Sequence, residues 1–387
     1  MAEEQKKGLE GVVIADTRLS KVYGDIGKLI YCGYDIRDLA HHASFEEVVF
    51  MLWYGELPTA TQLERLQHRL HDEMNLHPSV LQTMRLYPPS AHPMAVLRTA
   101  VSHIGLNDPA AEDNSQDANY RKALRLTAKI PTIIAAWARI REGKEPIAPR
   151  DDLGLAANFL WMLHGEEPVQ AEVDALNVYL VLLADHGMNA STFTSRVVTS
   201  TDGDMYSAVV AAIGSLKGPK HGGANEAAMR MFREVAEAPT PGEWFEQEVK
   251  GKGRRIMGMG HRVYKAPDPR AAILKNHANT ICGQKEKCVL LGVAEQLEDL
   301  ALADPYFIER NLYANVDYYS AIVLDAIGIE TDMMTPLFAM SRIAGWSAHI
   351  IEQWNDNRLI RPRGNYVGPT DLVWAPIEDR HGDCSTR

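Results

Sequence analysis

The chain has 387 residues, of which 46% are hydrophobic and 24% charged, an ordinary globular composition that argues against disorder and against a membrane-embedded class. Its formal net charge of −11 argues against a general nucleic-acid binder, which would carry a basic excess. No apolar run is long enough to span a bilayer, and the N-terminal MAEEQKKGLEG lacks the apolar segment of a signal peptide, so no membrane partner is expected. The four cysteines, Cys32, Cys282, Cys288 and Cys384, show no metal-type spacing and are too few for a disulfide scaffold. A reduced, cytoplasmic protein is expected.

In chain order, strand signals are confined to TRLSKVYGDIGKLIYCGY, where Gly24-Asp25 and Gly27 can turn a small hairpin. Helical patterns follow. Ser44-Phe45-Glu46-Glu47 and Thr61-Gln62-Leu63-Glu64 both have the capping-box spacing, and Gly55 stops the first of these helices. Pro168 opens a helix whose Val169, Val173, Leu176, Leu180, Leu183 and Ala184 form one stripe, ending near Gly187. Asp204 caps MYSAVVAAIGSL, and Thr335-Pro336 opens a long helix from Leu337 to about Asn357. No strand–helix alternation appears, so the expected fold class is all-α with a small N-terminal β-hairpin. Gly and Pro punctuation places a smaller domain at 218–325, with 1–217 and 326–387 forming the larger one.

Four stretches carry residues with chemical potential. In SLKGPKHGGANEAAMRMF (215–232), His221 sits between a Gly-Pro break and a glycine pair, just before a helix. The glycines allow positive φ or a close approach to a ligand; a turn residue with no task is the plainer reading. KGKGRRIMGMGHRVYKAPDPR (250–270) holds seven Lys or Arg against one acid, Asp268, and its glycines leave backbone N–H groups open to an anion. It is no dinucleotide fingerprint, since GMGHRV lacks the third glycine, and a solvated basic loop is the alternative. In NVDYYSAIVLDAIG, Asp317 lies at a helix start, where a carboxylate also simply suits the dipole. In ADHGMNAST, His186 lies at a helix C-terminus, where a protonated histidine is likewise favourable. His186, His221, His261 and Asp317 are metal-ligand types, but none has HExxH-like local spacing, so no metal is expected.

Together GPKHGGANE, GMGHRVYKAPDPRA, NVDYYS and DHGMNAST, with HPMAVLRTAVS and IRPRG, resemble the citrate synthases over nearly the whole chain, in the same order. The resemblance implies a large and a small helical domain, a homodimer with the site in the cleft between domains, and a place in the tricarboxylic acid cycle. It implies acetyl-CoA and oxaloacetate as substrates and no cofactor. Asp317 would remove a methyl proton from acetyl-CoA, His221 would hydrogen-bond the thioester carbonyl, and His261 would protonate the oxaloacetate ketone, before hydrolysis gives citrate and CoA. His186, Arg270 and Arg342, with Arg361 from the second subunit, would hold the oxaloacetate carboxylates. Lys250, Lys252, Arg255, Arg262 and Lys265 would face the CoA phosphates. A neutral imidazole suits the oxyanion task, because a preorganised donor in a dry site is commonly the largest catalytic contribution.

Two positions depart from the family pattern. Cys32 replaces a usual arginine, and Met259 stands where an aromatic is common, beside the acyl pocket. The rival 2-methylcitrate synthases share the three catalytic residues and take propionyl-CoA, and one methylene discriminates by only about 1–3 kcal/mol. A non-catalytic helical scaffold is the remaining alternative. The resemblance is to the short, dimeric type without the extra N-terminal regulatory domain, so no NADH allostery is expected.

Overall fold

The computed structural model describes residues 6–283 and 288–380, and Cys384 lies outside them. The expected hairpin forms: β1 (Ser20–Tyr23) pairs antiparallel with β2 (Lys28–Tyr31), Val22 opposite Leu29, and a two-residue β3 (Tyr34–Asp35) extends the sheet from β2. A single turn, Gly24–Ile26, closed by Gly27 at φ 59°, joins the first two strands.

Seventeen α-helices are present among the described residues. The first group comprises α1 (Ile36–His42), α2 (Phe45–Tyr54), α3 (Ala60–Glu73), α4 (Pro78–Met84), α5 (Pro93–Leu106) and the long α6 (Gln116–Ile140). Then come α7 (Leu155–His164), α8 (Gln170–Leu183), α9 (Ala190–Thr199), α10 (Met205–Leu216) and α11 (Ala224–Glu237). The short α12 (Pro241–Trp244) runs into a π-turn, Phe245–Gly251. The chain ends with α13 (Pro269–Gly283), α14 (Val289–Ala303), α15 (Pro305–Glu309), α16 (Val316–Ala326) and α17 (Met334–Asn355).

The Ser44–Glu47 capping box, the Gly55 stop and the Asp204 cap form as expected. Three boundaries differ. The second capping box is Thr59–Gln62, not Thr61–Glu64, because the chain is still extended at Thr59 and turns helical at Ala60. Pro168 lies outside α8, which begins after Val169 and ends at Leu183. Thr335-Pro336 sits inside the first turn of α17, where proline's missing N–H is tolerated, since a 3-10 turn at Thr331–Met333 already leads into the helix.

α17 is buried from Met334 to Ile351, apolar nearly all round, and packs against α2, α5, α6, α8, α9 and α10. A second cluster joins α11, α13, α14 and α16, and α13 also leans on α8. A disulfide joins Cys282 at the end of α13 to Cys288 before α14, across 5.4 Å between Cα atoms. This corrects the expectation of reduced cysteines there; a separation of six residues carries no recognisable motif, and the pairing depends on how α13 and α14 pack.

Gly345, in the middle of α17, lets the end of α8 lie against it. Its N–H donates to Ala184 O at 3.1 Å, and a Cβ there would fall 2.4 Å from that oxygen and 2.5 Å from Asp185 Oδ1. Gly345→Ala is therefore expected to destabilise by about 2–4 kcal/mol, since neither backbone can retreat without repacking the core. Gly292→Ala, at an open position on α14, is the control and should be neutral or stabilising by up to about 1 kcal/mol. Thermal melting of both variants checks this.

Candidate active site

The turn after α8 is held from several sides. Arg342 of α17 donates through Nε to Leu183 O at 2.7 Å, and the Tyr31 hydroxyl of β2 donates to Asp185 O at 2.6 Å. The wholly buried Asp185 carboxylate accepts from the Gly187 N–H at 3.1 Å and from the Ser20 hydroxyl of β1, and lies 3.3 Å from His349 Nε2 on α17. Burial alone would raise Asp185, but His349 and Arg342 hold it below the usual carboxylate range. His186 follows directly. Burial, then Arg270, His261, Arg342 and His221 around it, push its imidazole well below the usual value. The structure thus gathers His186, His221, His261, Arg270 and Arg342, and the His186 Nε2 is enclosed without a protein partner. A neutral His186 replaces the sequence-based alternative of an imidazolium favoured by the helix dipole.

His221 lies between α10 and α11, two residues before the helix cap Gly223. Neither Gly222 nor Gly223 has positive φ. Their service is close approach: Gly222 N–H donates to Leu216 O at 2.9 Å, and a Cβ would fall 2.4 Å from that oxygen. The imidazole Nε2 accepts from the Ser191 N–H at 3.3 Å and lies 2.8 Å from Ser191 Oγ, which itself accepts from Trp346 Nε1 at 3.1 Å. An acceptor Nε2 places the proton on Nδ1. Burial and then Arg342 lower this imidazole to about 4, so it is neutral near pH 7.

His261 is the mirror case. Its Nδ1 accepts from the N–H groups of Val263 at 3.0 Å and Tyr264 at 3.1 Å, so its proton resides on Nε2. Burial and Arg270 lower it to about 4 as well. The loop bearing it needs Gly258 and Gly260 at φ 82° and 81°, a left-handed conformation costly for other residues. The N-terminal hairpin supports the far side, with Lys265 N–H donating to Gly24 O at 3.0 Å.

Asp317 occupies the first turn of α16. Its N–H donates to Asn315 Oδ1 at 2.9 Å, while Asn315 Nδ2 donates to Gly260 O at 2.7 Å and Asn315 N–H to Gly258 O at 2.8 Å. Asn315 therefore ties the His261 loop to the Asp317 helix. Asp268 makes a second tie: it receives a two-pronged pair from Arg270, at 3.0 and 2.8 Å, and the Val316 N–H at 3.2 Å. Burial raises the Asp317 carboxyl to about 6, against the opposing pull of Arg270, and Oδ1 is enclosed without a partner. The result is a carboxylate near neutrality that is more basic than one in water.

Several participants carried no signal in the sequence. Tyr264 packs its ring 4.8 Å from His261 and 5.7 Å from His186, centroid to centroid, with its hydroxyl unpartnered and burial raising it to about 12. Ser191, Asn315 and Asp268 orient the reactive groups. Asp268 was visible only as the lone acid of a basic stretch.

Beyond His261 opens a cavity of about 700 Å³, within the usual range for a small-molecule site. Lys250, Arg255 and Arg262 line it, together with Arg254, Arg310, Tyr306 and Phe307. Lys252 and Lys265 do not: Lys252 pairs with Glu248 at 2.7 Å, and Lys265 is exposed beside the hairpin. Lys250 pairs with Glu246 and Arg262 with Glu10 through exposed bridges worth little, and Lys250 also pairs with the largely buried Asp304. Arg361 stands apart from this site, exposed on the segment that leaves the body after α17.

Comparison with known proteins agrees along the length of the chain. The family described as citrate synthase, C-terminal domain, matches residues 8–363. A Bacillus subtilis (strain 168) protein named citrate synthase 2 is 46% identical, covering 97% of this chain and 99% of its own. A Mycobacterium tuberculosis (strain H37Rv) protein named 2-methylcitrate synthase is 42% identical, covering 95% and 92%. Citrate synthase from Thermoplasma acidophilum, solved as a ternary complex with carboxymethyl coenzyme A and oxaloacetate, superposes with a TM-score of 0.92 at 35% identity, covering 98% of this chain and all of its own. The all-α architecture thus has its counterpart in known folds and the sequence its relatives along nearly its whole length, and the chain belongs to the citrate synthase family.

Proposed function

We propose that the protein condenses acetyl-CoA with oxaloacetate and hydrolyses the citryl thioester to citrate and CoA. One observation supports this reading: two neutral imidazoles, each with its tautomer fixed by backbone N–H groups, and a buried carboxyl of raised basicity are gathered around the same pair of arginines, Arg270 and Arg342. Asp317 removes the methyl proton, while the Nδ1–H of His221 hydrogen-bonds the thioester carbonyl as the enolate develops. A donor already in place in a dry site stabilises that oxyanion without reorganisation. The Nε2–H of His261 then protonates the ketone oxygen as the carbon–carbon bond forms. Arg270, Arg342 and His186 hold the carboxylates of oxaloacetate, with Arg361 contributed by a second copy, and Lys250, Arg255 and Arg262 receive the CoA phosphates.

Three further features belong to the same reading. The protein acts as a homodimer, supported by Tyr366, Val367, Leu372, Val373 and Trp374, large apolar side chains exposed on the C-terminal segment. A smaller domain at 218–325 closes over oxaloacetate, supported by the placing of His261 and Asp317 on one part and His186 and Arg342 on another. The protein acts in the cytoplasm; no helix among the described residues is long and apolar enough to cross a membrane. Formation of 2-methylcitrate from propionyl-CoA is the second reading, favoured by the 42% identity to an enzyme so named.

CoA release from acetyl-CoA and propionyl-CoA, each with oxaloacetate, tests the reading. Preference for acetyl-CoA, falling about 10²–10⁴-fold in Asp317→Ala, is expected; preference for propionyl-CoA selects the second reading, and release that survives the substitution removes Asp317 as base. A second expectation concerns stability. The folded Asp317 carboxyl titrates at about 6, above its ordinary 3.8, so the folded state holds that proton more tightly and stability falls as pH rises through about 6. Asp317→Asn should therefore raise stability above neutrality by roughly 1–2 kcal/mol after allowing for partial exposure, read as a higher melting temperature. The gain should fade as pH falls from about 6 towards 3.8, and a gain that is independent of pH would contradict the assignment.

A further inference from the structure

Four tyrosines among the described residues are enclosed to within 1% exposure, Tyr31, Tyr179, Tyr318 and Tyr319, while Tyr264, at 2% and without a partner, packs beside His261. Three of the four have the partner that a buried phenol normally requires. Tyr31 donates to Asp185 O, Tyr318 to Ala294 O at 2.7 Å, and Tyr319 to the Glu298 carboxylate. Tyr179 has none. Tyr179 lies on α8, seven residues before His186, on a helix that packs against both α16 and α17. The charged groups that act on its hydroxyl are Asp317 of α16 and Arg342 of α17. Asp317 Oδ1 is likewise enclosed and unpartnered. Two orphaned polar atoms of complementary type, a donor and an anionic acceptor, thus occupy one buried region.

We propose that the Tyr179 hydroxyl is a positioning residue for the catalytic base, donating to Asp317 Oδ1, directly or through one bound water, when substrates fill the cleft. This holds the carboxylate plane so that the other oxygen faces the methyl group. The inference rests on Asp317 being the base. A phenol that only fills core space would leave its oxygen an unpaired liability, and phenylalanine would fill the same volume without it. Besides Tyr179, the groups facing Asp317 are Arg270 and Arg342, which favour its ionised form, and Asp268, which opposes it.

The test is Tyr179→Phe in the full-length enzyme, with the pH profile of kcat at saturating acetyl-CoA and oxaloacetate as readout and Asp317→Ala measured alongside. Loss of a donor to the charged form should move the acid limb upward by about one pH unit. It should lower kcat about tenfold while KM for oxaloacetate changes less than about twofold. An acid limb that stays in place, with an unchanged or higher melting temperature, would show a purely structural tyrosine and overturn the proposal. If Asp317→Ala is inert while Tyr179→Phe matches the wild type, only the Tyr179 assignment fails. If Asp317→Ala is active, the reading of the base itself fails.

Discussion

A neutral imidazole donates only from the nitrogen that carries its proton, and backbone amides fix which nitrogen that is here. The Ser191 N–H engages Nε2 of His221, and the Val263 and Tyr264 N–H groups engage Nδ1 of His261. An amide can only donate, so the proton of each ring is left on its other nitrogen. Burial and nearby arginines then remove the competing imidazolium form. Backbone donors are a robust device, because no substitution of the donor's side chain removes them short of proline.

The scaffold appears in this light as a means of bringing four distant segments to one point. α17 is the axis: Gly345 admits the end of α8, Arg342 fastens it, and Trp346 reaches Ser191 beneath His221. On the other side, Asn315 and Asp268 bind the His261 loop, the start of α13 and the start of α16 into one unit. Asp317 and Arg270 are therefore tied to the His261 loop, while His186 and Arg342 belong to the α8–α17 corner.

The sequence revealed those features whose cause is local. The hairpin, the Ser44 and Asp204 caps and the helix start at Asp317 follow from neighbours within four residues. His221 was conspicuous because glycines surround it, although the glycines serve packing against Leu216 rather than positive φ. Thr59 and Thr61 offered overlapping caps, and which one is used depends on where the extended chain ends. Ser191, Asp268, Asn315 and Tyr264 remained hidden, since their value lies in contacts across the fold; Asp268 reaches Val316 over 48 residues. Lys252 and Lys265 misled for the complementary reason: charge in a loop says nothing of the direction each side chain takes.

The account stands or falls on the neutrality of the two imidazoles. Its most direct test is an NMR titration of selectively labelled histidine in the substrate-free enzyme, with His221 and His261 assigned by substitution. Midpoints near 4, with both rings neutral through pH 6 and their protons on Nδ1 and Nε2 respectively, are the predicted result. A midpoint near the ordinary 6.5 for either ring, or the opposite tautomer, would contradict it.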